Sequence, residues 1–476
     1  MQRVPLSQNS TAMEHMMQPD IINWEGFTAD IEGIAFTDAP QTVKLKSRDY
    51  FWYSPILNKQ LRKSWAHMVV TPKTEAEVIT VAAACAKWRI PVTPRGGGTG
   101  NYGQAVPLVG GIILDMTQLT GISEIGNGFV RCETGILIAD LDDSAHETGQ
   151  ELLMWPSTRS QATIGGFISG GSAGIGSVRH GVLRDDGNVR SLRIVTLEET
   201  PRIITLEGPE IQKAHHAYGT NGIITELELA LQPAVDWHHA IALFDEYTDA
   251  VQFGEALCCE DYDIYLISVV DKGFAQFYDK LTDVFPQDKH AVFSMVGPKT
   301  IDAFTADAIT HNGYVSLMMS DVEIEKANLP PAYECSYNHT TLQALKKDRN
   351  WTYLQVAYPQ PYDPAADTIM LAEYGDDLLR HHEFARERGD YQLFAIPLLK
   401  FTTAEKLYEI TKRYEELGCT VFDAHVYTIA EGGMKQVDTV QMAFKQDADP
   451  HGLMNPGKTS YAEAQEVLCR YAIPSS

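Results

Sequence analysis

The sequence lacks the cysteine spacing of a metal or disulfide scaffold. Its seven cysteines (Cys85, Cys132, Cys258, Cys259, Cys335, Cys419 and Cys469) are odd in number and include no C-x-x-C pair. A disulfide framework, a zinc ribbon or an iron–sulfur cluster would each require another pattern, so reduced thiols in a cytoplasmic protein are expected. Basic residues are also scarce, 38 against 63 acidic, a net charge of -25. Such a surface repels nucleic acid and anionic lipid, which leaves a small molecule as the expected partner. No apolar run approaches membrane-spanning length, and Met1 to Asp20 contain no signal-peptide core. Residues 1–20 read as a mobile polar tail. What is plentiful is length: 476 residues, 44% hydrophobic, exceed one ordinary core and predict two domains.

From Ser64 onward strand-like and helical text alternates. Trp65 to Val70 predicts a strand, and Thr74-Glu75-Ala76-Glu77 is a capping box. Val78, Val81, Ala82 and Cys85 then fall at helical spacing, which predicts a helix over 75–88. Short strands are expected at 90–94, 111–115, 129–133, 191–198 and 225–231, with a helix over 138–148 ending at Gly149. Past Pro233 the glycine content drops, and Thr402 to Leu417 marks another amphipathic helix. The mixture predicts an α+β fold. The expected division is a tail and lead-in over 1–60, a first domain over 61–236, a second over 237–430, and a closing segment over 431–476.

The most informative segment is Pro94-Arg95-Gly96-Gly97-Gly98-Thr99-Gly100-Asn101-Tyr102-Gly103. Residues without side chains let several backbone N–H groups converge on one anion. A flexible surface turn is the simpler account, but five glycines in eight residues between two strands speak against it. Gly98-Thr99-Gly100-Asn101-Tyr102-Gly103 formally matches the G-x-G-x-x-G of a dinucleotide-binding βαβ unit. That motif must open a helix, whereas here Pro107 and the β-rich Ile112 to Leu114 follow. No Gly-Lys-Ser/Thr closes the loop either, so a P-loop is excluded. The anion is expected in a loop between strands.

Four blocks in order carry a resemblance. They are Arg95 to Asn101 with Gln104 and Pro107; Trp155-Pro156-Ser157 with Ala162 to Gly166; Ser169 to Gly174 with Arg179-His180-Gly181; and Gly219 to Thr225. Together they resemble the FAD-binding domain of the vanillyl-alcohol oxidase / p-cresol methylhydroxylase (PCMH) family. The resemblance implies a two-part FAD domain and an α+β substrate or cap domain, with a C-terminal segment returning to the flavin. It assigns cofactor binding to Pro94, Arg95, Gly96, Gly97, Gly98, Thr99, Gly100, Asn101 and Gln104 around the pyrophosphate. Pro156, Ser157, Ser160, Thr163, Gly166, Gly170, Gly171, Ala173 and Gly174 would line the flavin and adenine path. Gly222, Ile223 and Ile224 would offer backbone hydrogen bonds. Thr163 also fits the N-cap of a helix beginning at Ile164. Many relatives bond the flavin to a histidine after the glycine run, where this chain has Thr99; others use a cysteine that Thr158 to Thr163 lack. The FAD is therefore expected to be non-covalent.

Asp449-Pro450-His451-Gly452-Leu453-Met454-Asn455-Pro456-Gly457-Lys458 resembles the ending of the glycolate oxidase D-subunit and D-lactate dehydrogenase branch. This implies that Asn455 lies near the flavin, although it also fits a turn before proline. That branch carries metal-ligating or base histidines in Gly-Asp-Gly-Asn-x-His and Glu-His-Gly blocks. The first is absent here, and Ala424 replaces the glutamate before His425. Three or four convergent ligands cannot be assembled, so no metal is expected. Hydride transfer still needs a proton acceptor, for which an imidazole is suited. His425 is the candidate base and Tyr427 a neighbouring donor, with Asp423 on the same face if the segment is a strand. A buried histidine satisfied by backbone is the alternative.

Weaker candidates remain. Tyr337 to Thr341 reads either as a substrate contact or as a helix start capped by Asn338. Lys346, Arg349 or Lys435 would suit a substrate carboxylate, and His180 an edge of the flavin. His215-His216 and His381-His382 stand in charged helical text and are expected to be solvated. The expected activity is an FAD-dependent dehydrogenase or oxidase that passes a hydride from a 2-hydroxy acid to flavin N5. One alternative is oxidation of a para-substituted phenol; another, of a different class, is a flavin-binding electron-transfer subunit. The sequence leaves oxygen, a quinone or a redox protein open as electron acceptor, and a homodimer is the expected assembly.

Overall fold

The side chain of Thr74 accepts from the amide of Glu77, and the helix it opens runs Glu75–Trp88 until Arg89 turns left-handed at φ 55°. Its apolar stripe (Val78, Val81, Ala82, Cys85) is fully buried. The stripe lies in one core with Met68, Val70, Val92, Ile112 and Leu114 from the adjoining sheet. That sheet has the parallel strands Met68–Thr71, Ile112–Asp115 and Val92–Arg95, with Ala35–Thr37 added antiparallel at one edge. Parallel pairing needs a crossover, which the capped helix supplies. The glycine loop therefore leaves the carboxyl end of Val92–Arg95. The computed structural model describes residues 22–171, 173–259 and 261–471, so the tail expected over 1–20 and Ser172 lie outside the described residues.

A second sheet follows, antiparallel, in the order Ile122–Gly126, Phe129–Glu133, Ile223–Pro233, Val189–Val195 and Ile203–Glu207, with Gln150–Leu152 also paired to Ile223–Pro233. The helix Ile164–Gly170 packs Ile164, Phe167 and Ile168 into the same core as Leu192, Ile194 and Leu227. From His238 to Phe422 the chain builds an eight-stranded sheet. Its order is Gly313–Ser320, His238–Phe244, His290–Val296, Ile264–Val270, His381–Glu387, Asp390–Ala395, Gln355–Ala357, Thr420–Phe422. Every pairing in it is antiparallel. Phe253, Phe304 and Leu407, from helices Tyr247–Ala256, Ile301–Thr310 and Ala404–Glu416, form a core with its Ala240, Ile267 and Phe384. The fold is α+β, as the sequence predicted.

The segment after Asp449 returns to the first sheet. Leu453 accepts from the amide of Val92 at 2.8 Å, and the amide of Asn455 donates back to Val92 at 2.7 Å, so the last segment docks on the strand that feeds the glycine loop.

Two local expectations are corrected. Residues 423–428 are not a strand: Asp423 Oδ1 accepts from the His425 amide at 2.9 Å, which closes a turn and removes the shared face of Asp423, His425 and Tyr427. The histidine pairs are not solvated. His381 and His382 lie in a strand at 0% exposure, and His215 and His216 are buried too. Charge nearby misled because it is satisfied internally: Arg380, next to His381, pairs with Asp271 at 2.8 Å.

Candidate active site

One cavity of about 310 Å³ runs from the glycine loop to the face of the eight-stranded sheet. Its floor is the loop itself. Pro94 to Tyr102 and Gln104 line it, as do Pro156, Ser157, Thr158, Ala162, Thr163, Gly165 and Gly166, and then Gly170, Gly171, Ala173 and Gly174. Glycine is required by close approach at Gly97, where an added Cβ would stand 2.0 Å from the carbonyl oxygen of Gln161. Gly98 has φ +68°, a region that disfavours side chains. Thr163 fills both roles read from the sequence: its hydroxyl accepts from Gly166 N at 3.3 Å as a helix cap, and it faces the cavity.

Three of the expected cofactor residues stand elsewhere. Ser160 is exposed on a turn whose neighbour Arg159 is pulled toward Asp142, 3.0 Å away, and over the Trp155 ring; Thr158 takes the cavity position. Ile223 and Ile224 point to opposite faces of their strand. Ile224 lines the cavity, while Ile223 joins Leu197 and Ile112 in the core behind it. Gly222 packs against Ile194 and is not a lining residue.

The three expected catalytic residues also lie behind the lining. His425 is buried, its Nδ1 2.8 Å from Ser54 Oγ and its Nε2 2.8 Å from the Tyr353 carbonyl. The carbonyl needs a donor, so Nε2 carries the hydrogen and Nδ1 accepts from Ser54. Burial holds its pKa below the usual imidazole value. Tyr427 packs with Leu61 and Tyr461, with the Lys458 ammonium 5.0 Å from its ring centre. The Asn455 side-chain amide donates to the carbonyls of Gln104 and Tyr218, and Asn455 does not line the cavity.

Other weak candidates separate clearly. Tyr337 and Asn338 line the cavity, and the Asn338 side chain makes no cap bond to the helix His339–Lys347. Lys346 is exposed, and Arg349 stacks 4.9 Å from the Trp52 ring. Lys435 is turned inward to the carbonyls of Gln212 and His215, and burial lowers its pKa to about 8. His180 lies beside the Tyr265 ring and does not line the cavity.

Sequence reading missed the opposite wall. Glu383, Ala385, Phe394 and Ala395 come from two neighbouring strands and Ile396 follows directly after the second; Val356 and Phe422 come from two more, and Arg184, Met434 and Tyr218 close the sides. The available signal was alternation, which puts Glu383 and Ala385 on one face of their strand. The charged lining residues are Asp49, Arg95, Arg184 and Glu383. Arg95 is held under the loop, its Nη2 3.3 Å from Gly97 O, with Nε and Nη1 buried and unpartnered. Burial raises the Asp49 carboxyl to about 6, and its oxygens accept from the amides of Phe51 and Ala105. Among the described residues, no group of three or more His, Cys, Asp or Glu is arranged to hold a metal ion, and no helix is long and apolar enough to cross a membrane.

Residues 66–205 match the family model described as an FAD binding domain. A D-lactate dehydrogenase of Anaerostipes hadrus is 32% identical over 186 residues, 36% of this chain and 38% of that one. The chain thus spans about two fifths of that relative's length. The glycolate oxidase subunit GlcD of Bacillus subtilis (strain 168) is 28% identical over 442 residues, covering 85% of this chain and 91% of it. Among solved structures, an alkyldihydroxyacetonephosphate synthase shares the fold with a TM-score of 0.68 and 16% identity, over 93% of this chain and 86% of that one. The geometry fits such a cofactor. The glycine loop has room only for bare backbone at Gly97, and two unpartnered nitrogens of Arg95 sit beneath it, where a diphosphate would supply acceptors.

Proposed function

Because residues 66–205 form an FAD-binding domain of the PCMH type, we propose that the chain is an FAD-linked oxidoreductase acting on a small hydroxylated acid, a 2-hydroxy acid in the first place. FAD, when bound, supplies a two-electron acceptor for the hydrogen on the carbinol carbon. The observation that carries the reading is a continuous cavity in which the glycine loop faces a wall built from the eight-stranded sheet. A cofactor seated on the loop leaves that wall for the substrate. Phe394, Ile396 and Phe422 keep water from the reacting carbon. Arg184, fixed by Glu387 at 2.9 Å and the Met434 carbonyl at 3.0 Å, offers a positive edge for a carboxylate. The relatives named for D-lactate and glycolate favour the same substrate class.

The flavin is held without a covalent bond, as Thr99 stands where attachment would need a nucleophile. A second reading, a phenolic alcohol as substrate, draws on Tyr102, Tyr218 and Tyr337 in the lining. Burial raises the pKa of all three, so they stay neutral; the Tyr337 hydroxyl donates to the Gly174 carbonyl at 2.8 Å, which leaves Tyr102 and Tyr218 as the donors toward a phenolate. Anaerobic addition of D-lactate, L-lactate, glycolate and 4-hydroxybenzyl alcohol to the FAD-loaded protein separates the two. The expected result is bleaching of the flavin absorbance by a hydroxy acid. Bleaching by the phenol alone selects the second reading, and no bleaching by any of them sinks both.

A further inference from the structure

Glu383 is one of the residues of the cavity wall and is 2% exposed. Its Oε1 is crowded by donors: the amide of Tyr337 at 2.6 Å, the hydroxyl of Ser268 at 2.8 Å and His381 Nε2 at 2.7 Å. Its Oε2 is buried and has no partner at all. A buried carboxyl oxygen without a hydrogen bond is costly unless something else completes it. The residue lines the cavity, so the missing partner comes from what enters there.

The neighbours fix which group donates. Thr340 spends its hydroxyl hydrogen on the Tyr337 carbonyl at 2.7 Å. It therefore accepts from His381 Nδ1, 3.1 Å away. His381 Nε2 then donates to the Glu383 carboxylate at Oε1, 2.7 Å away. All three contacts load Oε1 and leave Oε2 with its acceptor capacity unused.

We propose that Glu383 is the residue that accepts the substrate's hydroxyl proton, with His381, Ser268 and Thr340 as the positioning residues behind it. The inference rests on the oxidoreductase reading above. In the step, the substrate O–H bond breaks and its proton passes to Glu383 Oε2. The carbinol C–H bond breaks in the same event, its hydrogen and electron pair leaving for the bound flavin, and a C=O bond forms. One acid is protonated, one alcohol is oxidised by two electrons, and the flavin takes up those two electrons. This role fell to His425 by sequence, but His425 has both nitrogens occupied and stands behind the lining.

The test uses the full FAD-loaded chain and whichever of D-lactate, L-lactate, glycolate or 4-hydroxybenzyl alcohol bleaches the wild-type flavin fastest. Glu383→Gln keeps the shape and removes the proton acceptor. The expected result is normal FAD content, a normal substrate-induced shift of the flavin band, and bleaching slowed about 100-fold or more. Glu383→Ala leaves space for a small acid, and added formate is expected to restore bleaching at least about tenfold, which a purely structural role would not do. A Glu383→Gln rate within about threefold of wild type overturns the proposal. So does Glu383→Ala that formate fails to rescue, should the glutamine variant not retain FAD. A wild-type flavin that none of the four compounds bleaches overturns the oxidoreductase reading and this inference with it. Bleaching of the wild type with an equally fast Glu383→Gln overturns this inference alone.

Discussion

The side-chain amide of Asn455 donates to the carbonyl of Gln104 at 2.7 Å and to that of Tyr218 at 2.7 Å, tying the closing segment to two loops that line the cavity. Its Oδ1 lies 3.3 Å from the Thr93 hydroxyl, and its φ of +37° suits asparagine better than alanine. Asn455→Ala removes the donor from the buried Tyr218 carbonyl, at about 1–3 kcal/mol, and from the part-buried Gln104 carbonyl. We expect a lower melting temperature and faster loss of FAD on ultrafiltration, with the substrate-bleaching rate of the retained holoenzyme unchanged. A variant that loses bleaching but keeps both stability and FAD would return Asn455 to a direct catalytic role.

His425 makes the opposite point about a residue chosen for its chemistry. With Ser54 and the Tyr353 carbonyl as its partners, the ring braces the lead-in segment against the second half of the chain. His425→Ala removes both bonds and leaves a void, so a loss of roughly 2–4 kcal/mol in unfolding free energy is expected. The flavin of the folded variant should bleach within about threefold of the wild-type rate. Denaturant melts and anaerobic stopped-flow on one preparation decide it, and a normal melt with abolished bleaching is the adverse outcome.

The two variants show what was legible in the sequence. The glycine loop could be read because close backbone approach restricts the residue type: a Cβ at Gly97 meets a carbonyl, so the requirement is written in the text. The helix Glu75–Trp88 was legible for a similar local reason, with cap and apolar spacing in one stretch. The substrate wall was not. Glu383 becomes notable only when Tyr337 and Ser268, 46 and 115 residues away, join its strand neighbour His381 at one of its oxygens. His425 failed for the complementary reason. Its residue type suggests catalysis, while its partners are supplied by residues 371 and 72 positions away.

Thr99 makes a prediction that needs no mutation. Its hydroxyl lies 3.5 Å from that of Thr158 in the cavity lining, and neither a histidine nor a cysteine stands in the described stretches 95–104 or 157–163. Acid precipitation is expected to leave a colourless pellet and carry all FAD into the supernatant. Yellow pellet protein with flavin fluorescence on a denaturing gel would contradict it.

His146 sets a pH dependence of stability, apart from the active site. Its Nε2 stands 3.6 Å from Glu151 and its Nδ1 3.8 Å from the Asp142 carboxylate and 2.8 Å from the Asp142 carbonyl. The Glu151 carboxylate first, with the Asp142 groups after it, raises the imidazole pKa from 6.5 to about 9 against the opposing effect of burial. A raised pKa means that the folded chain holds the proton more tightly than the unfolded chain between those values. Stability from this group is therefore fully present below pH 6.5 and is lost as pH rises through about 9. The side chain is 44% exposed, so solvent screening keeps the effect modest. His146→Gln should melt below wild type at pH 6, and the gap should close as the pH is raised past 9. Melting curves for both proteins across that range are the measurement, and a gap that stays constant or widens with pH would reject the assigned ion pairing.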